Sequence, residues 1–231
     1  MAELFVIVTA RNEAQRIEAT LAGLATAFPG APVWVADDGS GDATPKLARA
    51  AGARVVRSER AIGKGAVATL AAEAALLHAR GEDAGEHPGS VFVLCDGDLG
   101  RSAAKLSGLA DAVVDGRSDV AVAAFARRTG GGLGIARGFA RWAIRRSCGA
   151  RMVAPISGQR ALSRAALEDV LPFAHGFGME MGITIDAVRA GHRVSELELG
   201  LCHRASGRTA AGFAHRGRQL GDFARVYLAR R

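Results

Sequence analysis

A chain of 231 residues, 49% hydrophobic and 23% charged, is long enough for one domain with a substantial core, and its composition excludes a disordered protein. Thirty Lys and Arg against 23 Asp and Glu give a formal charge of +7, which points to an anionic ligand or surface. Nucleic acid is not the expected partner, because aromatic residues make up only 5% and no helix-turn-helix, zinc-finger or RNP-type signature occurs. No apolar run is long enough to span a bilayer, and the chain enters its first strand without a basic leader. Cys95, Cys148 and Cys202 show neither paired nor metal-ligand spacing, which fits a reducing cytoplasm.

Leu4 to Thr9 reads as a buried strand, followed by a helix with Ile17, Leu21, Leu24 and Phe28 on one face and a stop at Pro29-Gly30. Pro32 to Ala36 is a second strand, ending in Asp37-Asp38-Gly39-Ser40. Thr44 suits an N-cap and Pro45 a first helical position. After a short strand over 54–56, Gly63-Lys64-Gly65 opens a helix expected to turn Val67, Leu70, Ala74 and Leu77 inward. Residues 80–89 read as a solvated loop. The apolar run from Val91 is a fully buried strand that ends in Asp96-Gly97-Asp98. Two carboxylates leaving the carboxyl end of such a strand suit a hard divalent cation, Mg²⁺ or Mn²⁺, and the glycine between them lets a ligand approach; the same tripeptide also serves as a plain acidic turn.

The second half begins with a helix over 106–114 and a strand over 119–123. Arg127-Arg128-Thr129 then leads into Gly130-Gly131-Gly132-Leu133, a glycine loop with two cations at its mouth. The next helix is expected to carry Ile135, Phe139 and Trp142 on one side and Arg137, Arg141 and Arg145 on the other. That arginine stripe is either a solvated face or a contact with anionic lipid or an acidic acceptor. Pro155 to Leu162 reads as a strand with a special turn at its start. Gly176 to Glu180 opens a helix, Val194 to Leu201 is a strand, and His203-Arg204 follows it. The last helix starts near Gly212 with Phe213, Leu220, Phe223 and Tyr227 inward. Strands alternating with helices predict an α/β domain with a Rossmann-like, mainly parallel central sheet over the whole of 1–231. Neither a dinucleotide glycine fingerprint nor a triphosphate P-loop is present. Asp38 and Asp96 end two strands on one sheet edge, where the site is expected.

Val8-Thr9-Ala10-Arg11-Asn12-Glu13, Asp37-Asp38-Gly39-Ser40, Gly63-Lys64-Gly65 and Asp96-Gly97-Asp98 occur in an order and spacing that resembles family 2 glycosyltransferases with the GT-A fold. Gly176-Phe177-Gly178-Met179-Glu180 followed by His203-Arg204, and the triple glycine, look like the glucosyl-3-phosphoglycerate synthase branch; a polyprenyl-phosphate glycosyltransferase is the related alternative. The resemblance implies a metal-dependent hexosyltransferase that moves a sugar from a nucleotide diphosphate sugar, UDP-linked by preference, to an anionic or phosphorylated acceptor. It implies a nucleotide-binding half over 1–100 and an acceptor-binding half over 101–231. Thr9, Ala10, Arg11 and Glu13 would hold base and ribose, as would Asp38 with Gly39. Lys64 would neutralise the nucleotide's phosphates. Asp96, Gly97 and Asp98 would form the diphosphate's metal site, with Asp98 the direct ligand and His203 completing the coordination of Mg²⁺ or Mn²⁺. Glu180 would face the donor sugar. Gly131, Gly132, Arg127, Arg128, Arg208 and Arg216 are the acceptor and phosphate candidates.

The chain departs from that branch at Leu133, where a cation would grip the acceptor's phosphate, and in its basic tail. A catalytically inactive nucleotide-sugar-binding protein is the third reading. A peripheral contact with the inner membrane face and a homodimer are both compatible with the arginine stripe and the apolar helices.

Overall fold

A computed structural model describes residues 3–81, 89–125, 134–201 and 210–231, the last stretch with side chains from 219 onward. Within these residues seven strands form one sheet: β1 (Leu4–Ala10), β2 (Val33–Asp37), β3 (Arg54–Arg57), β4 (Val91–Asp96), β5 (Val120–Phe125), β6 (Arg160–Ser163) and β7 (Val194–Leu199). Their order is β3-β2-β1-β4-β6-β5-β7. Every pairing is parallel except those of β6, which runs antiparallel to both β4 and β5. The sheet is therefore α/β and mainly parallel, as the alternation of elements predicts. Thr9 on β1 lies opposite both Ala36 of β2 and Asp96 of β4, so the motif-bearing strand ends meet at one edge.

The helices are α1 (Ile17–Ala27), α2 (Thr44–Ala50), α3 (Lys64–Arg80), α4 (Ser107–Val114), α5 (Ile135–Cys148), α6 (Arg164–Val170), α7 (Met179–Arg189) and α8 (Ala210–Ala229). Because strand side chains alternate between faces, the sheet divides the core in two. Val6, Val8, Val35, Val93 and Ala121 pack with α1 and α4 on one side. Phe5, Ile7, Phe92, Leu94 and Val122 pack with α3, α5, α7 and α8 on the other.

Three local expectations are corrected. On α3 the buried face is Val67, Ala68, Ala71, Ala72, Ala75, Leu76 and Ala79, while Leu70 and Leu77 are exposed. Small side chains let this helix lie close against the sheet, and the bulkier leucines are left outside. On α5, Phe139 and Trp142 lie on one side as expected, their ring centroids 5.6 Å apart, while the helix buries Ala140, Ala143 and Ile144 and leaves Ile135 and Trp142 exposed. The Trp142 ring packs tilted against Tyr227 of α8, with centroids 4.9 Å apart, and Arg141 donates to the Met152 carbonyl at 2.7 Å. Thr44 is the first residue of α2 and not its cap; its hydroxyl accepts from the Glu13 amide at 2.8 Å and so ties two loops together. The helix of the Gly-Lys-Gly motif extends to Arg80, into the expected loop. No helix among the described residues is long and apolar enough to cross a membrane.

Candidate active site

The β1–α1 and β2–α2 loops are stitched into one wall of the site. The amide of Asn12, a residue at φ 56°, donates to Ser40 Oγ at 2.9 Å, and the Gly41 amide donates back to Asn12 Oδ1 at 2.9 Å. The Ala14 amide adds a bond to Asp42 at 3.1 Å. Asp37 is fully buried and ion-paired with Arg57 at 3.2 Å, and it accepts a short hydrogen bond from Ser40. Asp38, also buried, accepts from the amides of Ile62 at 2.6 Å and Gly63 at 3.0 Å. Asp38 thus pins the start of α3, and with it Lys64, to the nucleotide edge. Arg11 is exposed and Glu13 half-buried on the same wall, with Ala10 and Gly39 beneath them.

Lys64 is the hub of the site. Its Nζ lies 2.6 Å from Asp96 Oδ1 and 2.5 Å from Glu180 Oε1, joining the end of β4 to the first turn of α7. Asp96 also accepts from Thr9 Oγ1 at 3.1 Å and from Gln159 Nε2 at 2.8 Å, so both of its oxygens are engaged by protein. Burial alone would raise the Asp96 carboxyl, but the Lys64 ammonium outweighs it, with the hydrogen bonds of Lys64, Gln159 and Thr9, and holds it below the ordinary value of 3.8. Burial likewise works against the Lys64 charge, yet Asp96 and then Glu180 outweigh it and keep the ammonium protonated well above its usual range. Cys95 beneath them is buried; that burial, then the Asp96 and Asp98 charges, push its thiol well above 9.0, so it stays neutral.

Close backbone approach makes this hub possible. A Cβ on Gly65 would fall 1.9 Å from the Ala174 carbonyl oxygen, so only glycine lets the 174–180 segment lie against α3. Gly65→Ala is expected to destabilise the protein by roughly 2 kcal/mol or more through overpacking, read as a lowered denaturant midpoint. A midpoint unchanged from wild type would mean this contact does not hold Glu180 in place. The same segment is gripped from α8, where Asp222 accepts from the Phe177 amide at 3.0 Å.

The remaining sequence candidates divide sharply. Asp98 is half-buried just past β4, beside Gly97, whose amide donates to the Thr9 carbonyl at 2.9 Å. His203, Arg127, Arg128, Gly131, Gly132 and Arg208 lie outside the described residues, and Arg216 lies in α8 with its side chain outside them. Among the described residues no group of three His, Cys, Asp or Glu could hold a metal by itself. Asp98 with Asp96 at a strand end is an all-oxygen, incomplete donor set. That set fits an ion which takes its other ligands from a diphosphate, the usual arrangement for Mg²⁺. Gln159, Arg160 and Thr184 were not among the residues singled out for chemistry, although Ser157-Gly158-Gln159-Arg160 is a conspicuously polar entry to a buried strand. A cleft of about 330 Å³ lined by Ala124, Val153, Glu196 and Glu198 opens farther along the same edge. Its Glu196 is occupied by the amides of Val153 and Ala154, both at 2.6 Å.

Residues 5–171 match the model of the family described as glycosyl transferase family 2. No protein of curated function matches the chain. Among solved structures, glucosyl-3-phosphoglycerate synthase from Mycobacterium tuberculosis is similar over 99% of this chain and 80% of its own, at 26% identity and a TM-score of 0.75. The same enzyme in complex with Mn²⁺, UDP-glucose and phosphoglyceric acid aligns at 26% identity and a TM-score of 0.76, over 99% of this chain and 79% of that one. Its complex with Mn²⁺, UDP-glucose and glycerol 3-phosphate aligns at 25% identity and 0.74, over 99% and 80%.

Proposed function

This chain belongs to glycosyl transferase family 2 and has the GT-A fold, and from that premise we propose that it transfers a hexose from a UDP-sugar to a phosphorylated small-molecule acceptor with the help of Mg²⁺ or Mn²⁺. The carrying observation is the Lys64 hub, which sets one cation between a carboxylate of the Asp-Gly-Asp motif and the buried Glu180. The similar solved structures contain UDP-glucose, Mn²⁺ and a phosphorylated acceptor, which supports a donor and acceptor of that class here.

In this reading Thr9, Ala10, Arg11, Glu13 and the Asp38-Gly39 turn hold base and ribose. Asp98, with Asp96 behind it and His203 from the following segment, would hold the divalent ion. Such an ion, when bound, offsets the charge that concentrates on a departing nucleoside diphosphate. Lys64 adds a second, fixed positive charge to that end of the donor. Glu180 places a carboxylate where positive charge develops on the sugar carbon in an oxocarbenium-like transition state. Arg127 and Arg128, with Gly131 and Gly132, would be the acceptor grip in place of a cation at Leu133, and Arg208 and Arg216 would serve a phosphate.

Melting curves with UDP-glucose, UDP-N-acetylglucosamine, GDP-mannose and dTDP-glucose, each with and without Mn²⁺, test the donor. A UDP-sugar at about 100 times its Kd should add about 2.7 kcal/mol by linkage, and only with the metal present. A folded sample that responds to none of the donors would sink the transferase reading. A lipid-linked acceptor is the second reading. It is favoured by α5, which carries Arg137, Arg141, Arg145 and Arg146 without an acidic residue and exposes Ile135 and Trp142. UDP release stimulated by 3-phosphoglycerate supports the first acceptor, and stimulation only by polyprenyl phosphate in vesicles supports the second.

A further inference from the structure

The turn over residues 157–160, at the entry to β6, reaches Asp96 directly through Gln159 and the Glu180 backbone through Thr184. Ser157, Gln159 and Arg160 are 5%, 2% and 0% exposed, an unusual run of buried polar side chains. Gln159 donates from Nε2 to Asp96 Oδ2 at 2.8 Å, and its Oε1 accepts from Ser157 Oγ at 3.2 Å, which fixes the orientation of the amide. Gly158 lies so close that a Cβ there would fall 2.5 Å from Asp96 Oδ2 and 2.8 Å from Lys64 Nζ.

Arg160 points the other way. Its Nε donates to the Ser157 carbonyl at 2.9 Å, closing the turn on itself, and its Nη2 lies 3.4 Å from the Pro155 carbonyl. Its Nη1 donates to Thr184 Oγ1 at 2.8 Å, and that hydroxyl donates to the Glu180 carbonyl at 3.1 Å. Among the described residues Arg160 forms no ion pair; it holds backbone and hydroxyl groups instead. Burial pushes its guanidinium down to about 10, against the pull of the Glu180 and Glu196 charges. A fully buried cation without a carboxylate partner is costly, and the fold tolerates it only where it organises something.

We propose that the Ser157–Arg160 turn is a two-armed positioning element for the donor site, in which Gln159 orients Asp96 and Arg160, through Thr184, sets the first turn of α7 so that Glu180 meets Lys64. The inference rests on the reading of Lys64, Asp96 and Glu180 as the donor-phosphate and sugar groups. Gln159 and Thr184 are positioning residues, since each acts through another side chain. Partners of this kind typically cost 10- to 100-fold when removed, about as much as many direct contacts.

The test uses the full chain with UDP-glucose and Mn²⁺, following UDP release, together with denaturant unfolding of the same variants. Gln159→Met keeps the length and loses the donor; it is expected to lower kcat roughly 10- to 100-fold while donor KM moves less than about threefold. Thr184→Val should lower kcat in the same way and Thr184→Ser should restore it, which probes the second arm without removing Arg160 from the core. In unfolding, the cost of Lys64→Met should be at least about threefold smaller, as an equilibrium constant, in the Gln159→Met background than in wild type. Additive unfolding costs, with kcat unchanged in Gln159→Met and Thr184→Val, would overturn the positioning role. If wild type and Lys64→Met released UDP equally, the donor-site reading would fail instead, and the unfolding cycle would still decide whether the turn organises the Lys64 pair.

Discussion

Replacing Lys64 with methionine is expected to slow sugar transfer sharply and to reverse the pH dependence of stability. Removing one member of a buried, hydrogen-bonded charge cluster costs about 3–5 kcal/mol, since the partners left behind lose their counter-charge and are poorly hydrated. Asp96 and Glu180 are those partners, at 2.6 and 2.5 Å from Nζ; Asp96 keeps some solvent, which places the cost at the lower end. In wild type, the Asp96 carboxyl titrates below 3.8, so its contribution is complete above that value and is lost as the pH falls through the lower folded value. Lys64 titrates above 10.5, so its contribution is complete below that value and is lost only as the pH rises beyond it. Between these limits the cluster contributes a constant amount. Without Lys64, burial dominates at Asp96 and raises its carboxyl, so the variant gains stability as the pH falls from 7 towards 4. Chemical denaturation at several pH values measures this directly. A variant whose stability falls with acidification just as wild type does would show that Lys64 is not what holds the Asp96 charge. On the chemical side, loss of one fixed charge at the leaving group typically costs about 10²–10³ in kcat.

Asp98→Ala should remove activity more completely and leave the fold almost untouched. Asp98 lies two residues past the end of β4, outside the sheet, and is half-buried, so its loss leaves the strand pairings of β4 in place. Its loss should reduce UDP release by more than roughly 10³-fold, while the melting midpoint without ligand stays within a few degrees of wild type. Mn²⁺ should no longer strengthen the donor-induced thermal shift. Retention of metal-dependent UDP release by this variant would reassign the ion to other residues.

The strand-end motifs were legible because they lie where local pattern and chemistry coincide. A buried apolar run that stops at Asp96-Gly97-Asp98 can be read without knowing its neighbours. So can Gly63-Lys64-Gly65, whose last glycine answers to the Ala174 carbonyl. What was not legible depends on partners remote in sequence. Periodicity cannot report that β6 runs against β4, nor that its polar entry would reach Asp96 across the sheet. The inward face of α3 was misplaced by the preference for bulk, since the contact with the sheet is made largely by alanines. Trp142 reads as one of an apolar trio with Ile135 and Phe139, but its packing against Tyr227 of the last helix could not be read from the sequence. For Asp38 the ligand role is what the motif suggests, and its second task, accepting from the amides of Ile62 and Gly63, depends on a loop some 25 residues away.

The position of β4 has a consequence for how this chain is made. Its neighbours are β1, synthesised long before it, and β6, synthesised after it, with Val91 pairing Ser163 and Leu94 pairing Arg160. While the ribosome adds the residues between Asp96 and Arg160, roughly 3–13 seconds at usual elongation rates, a nascent sheet of β1 to β4 would carry an unpaired apolar edge. That edge is a template for pairing with other chains until β6 arrives to cover it. The strand that bears the Asp-Gly-Asp motif thus completes its pairing only once β6 has been made, and a fragment ending near residue 100 should aggregate where the full chain does not.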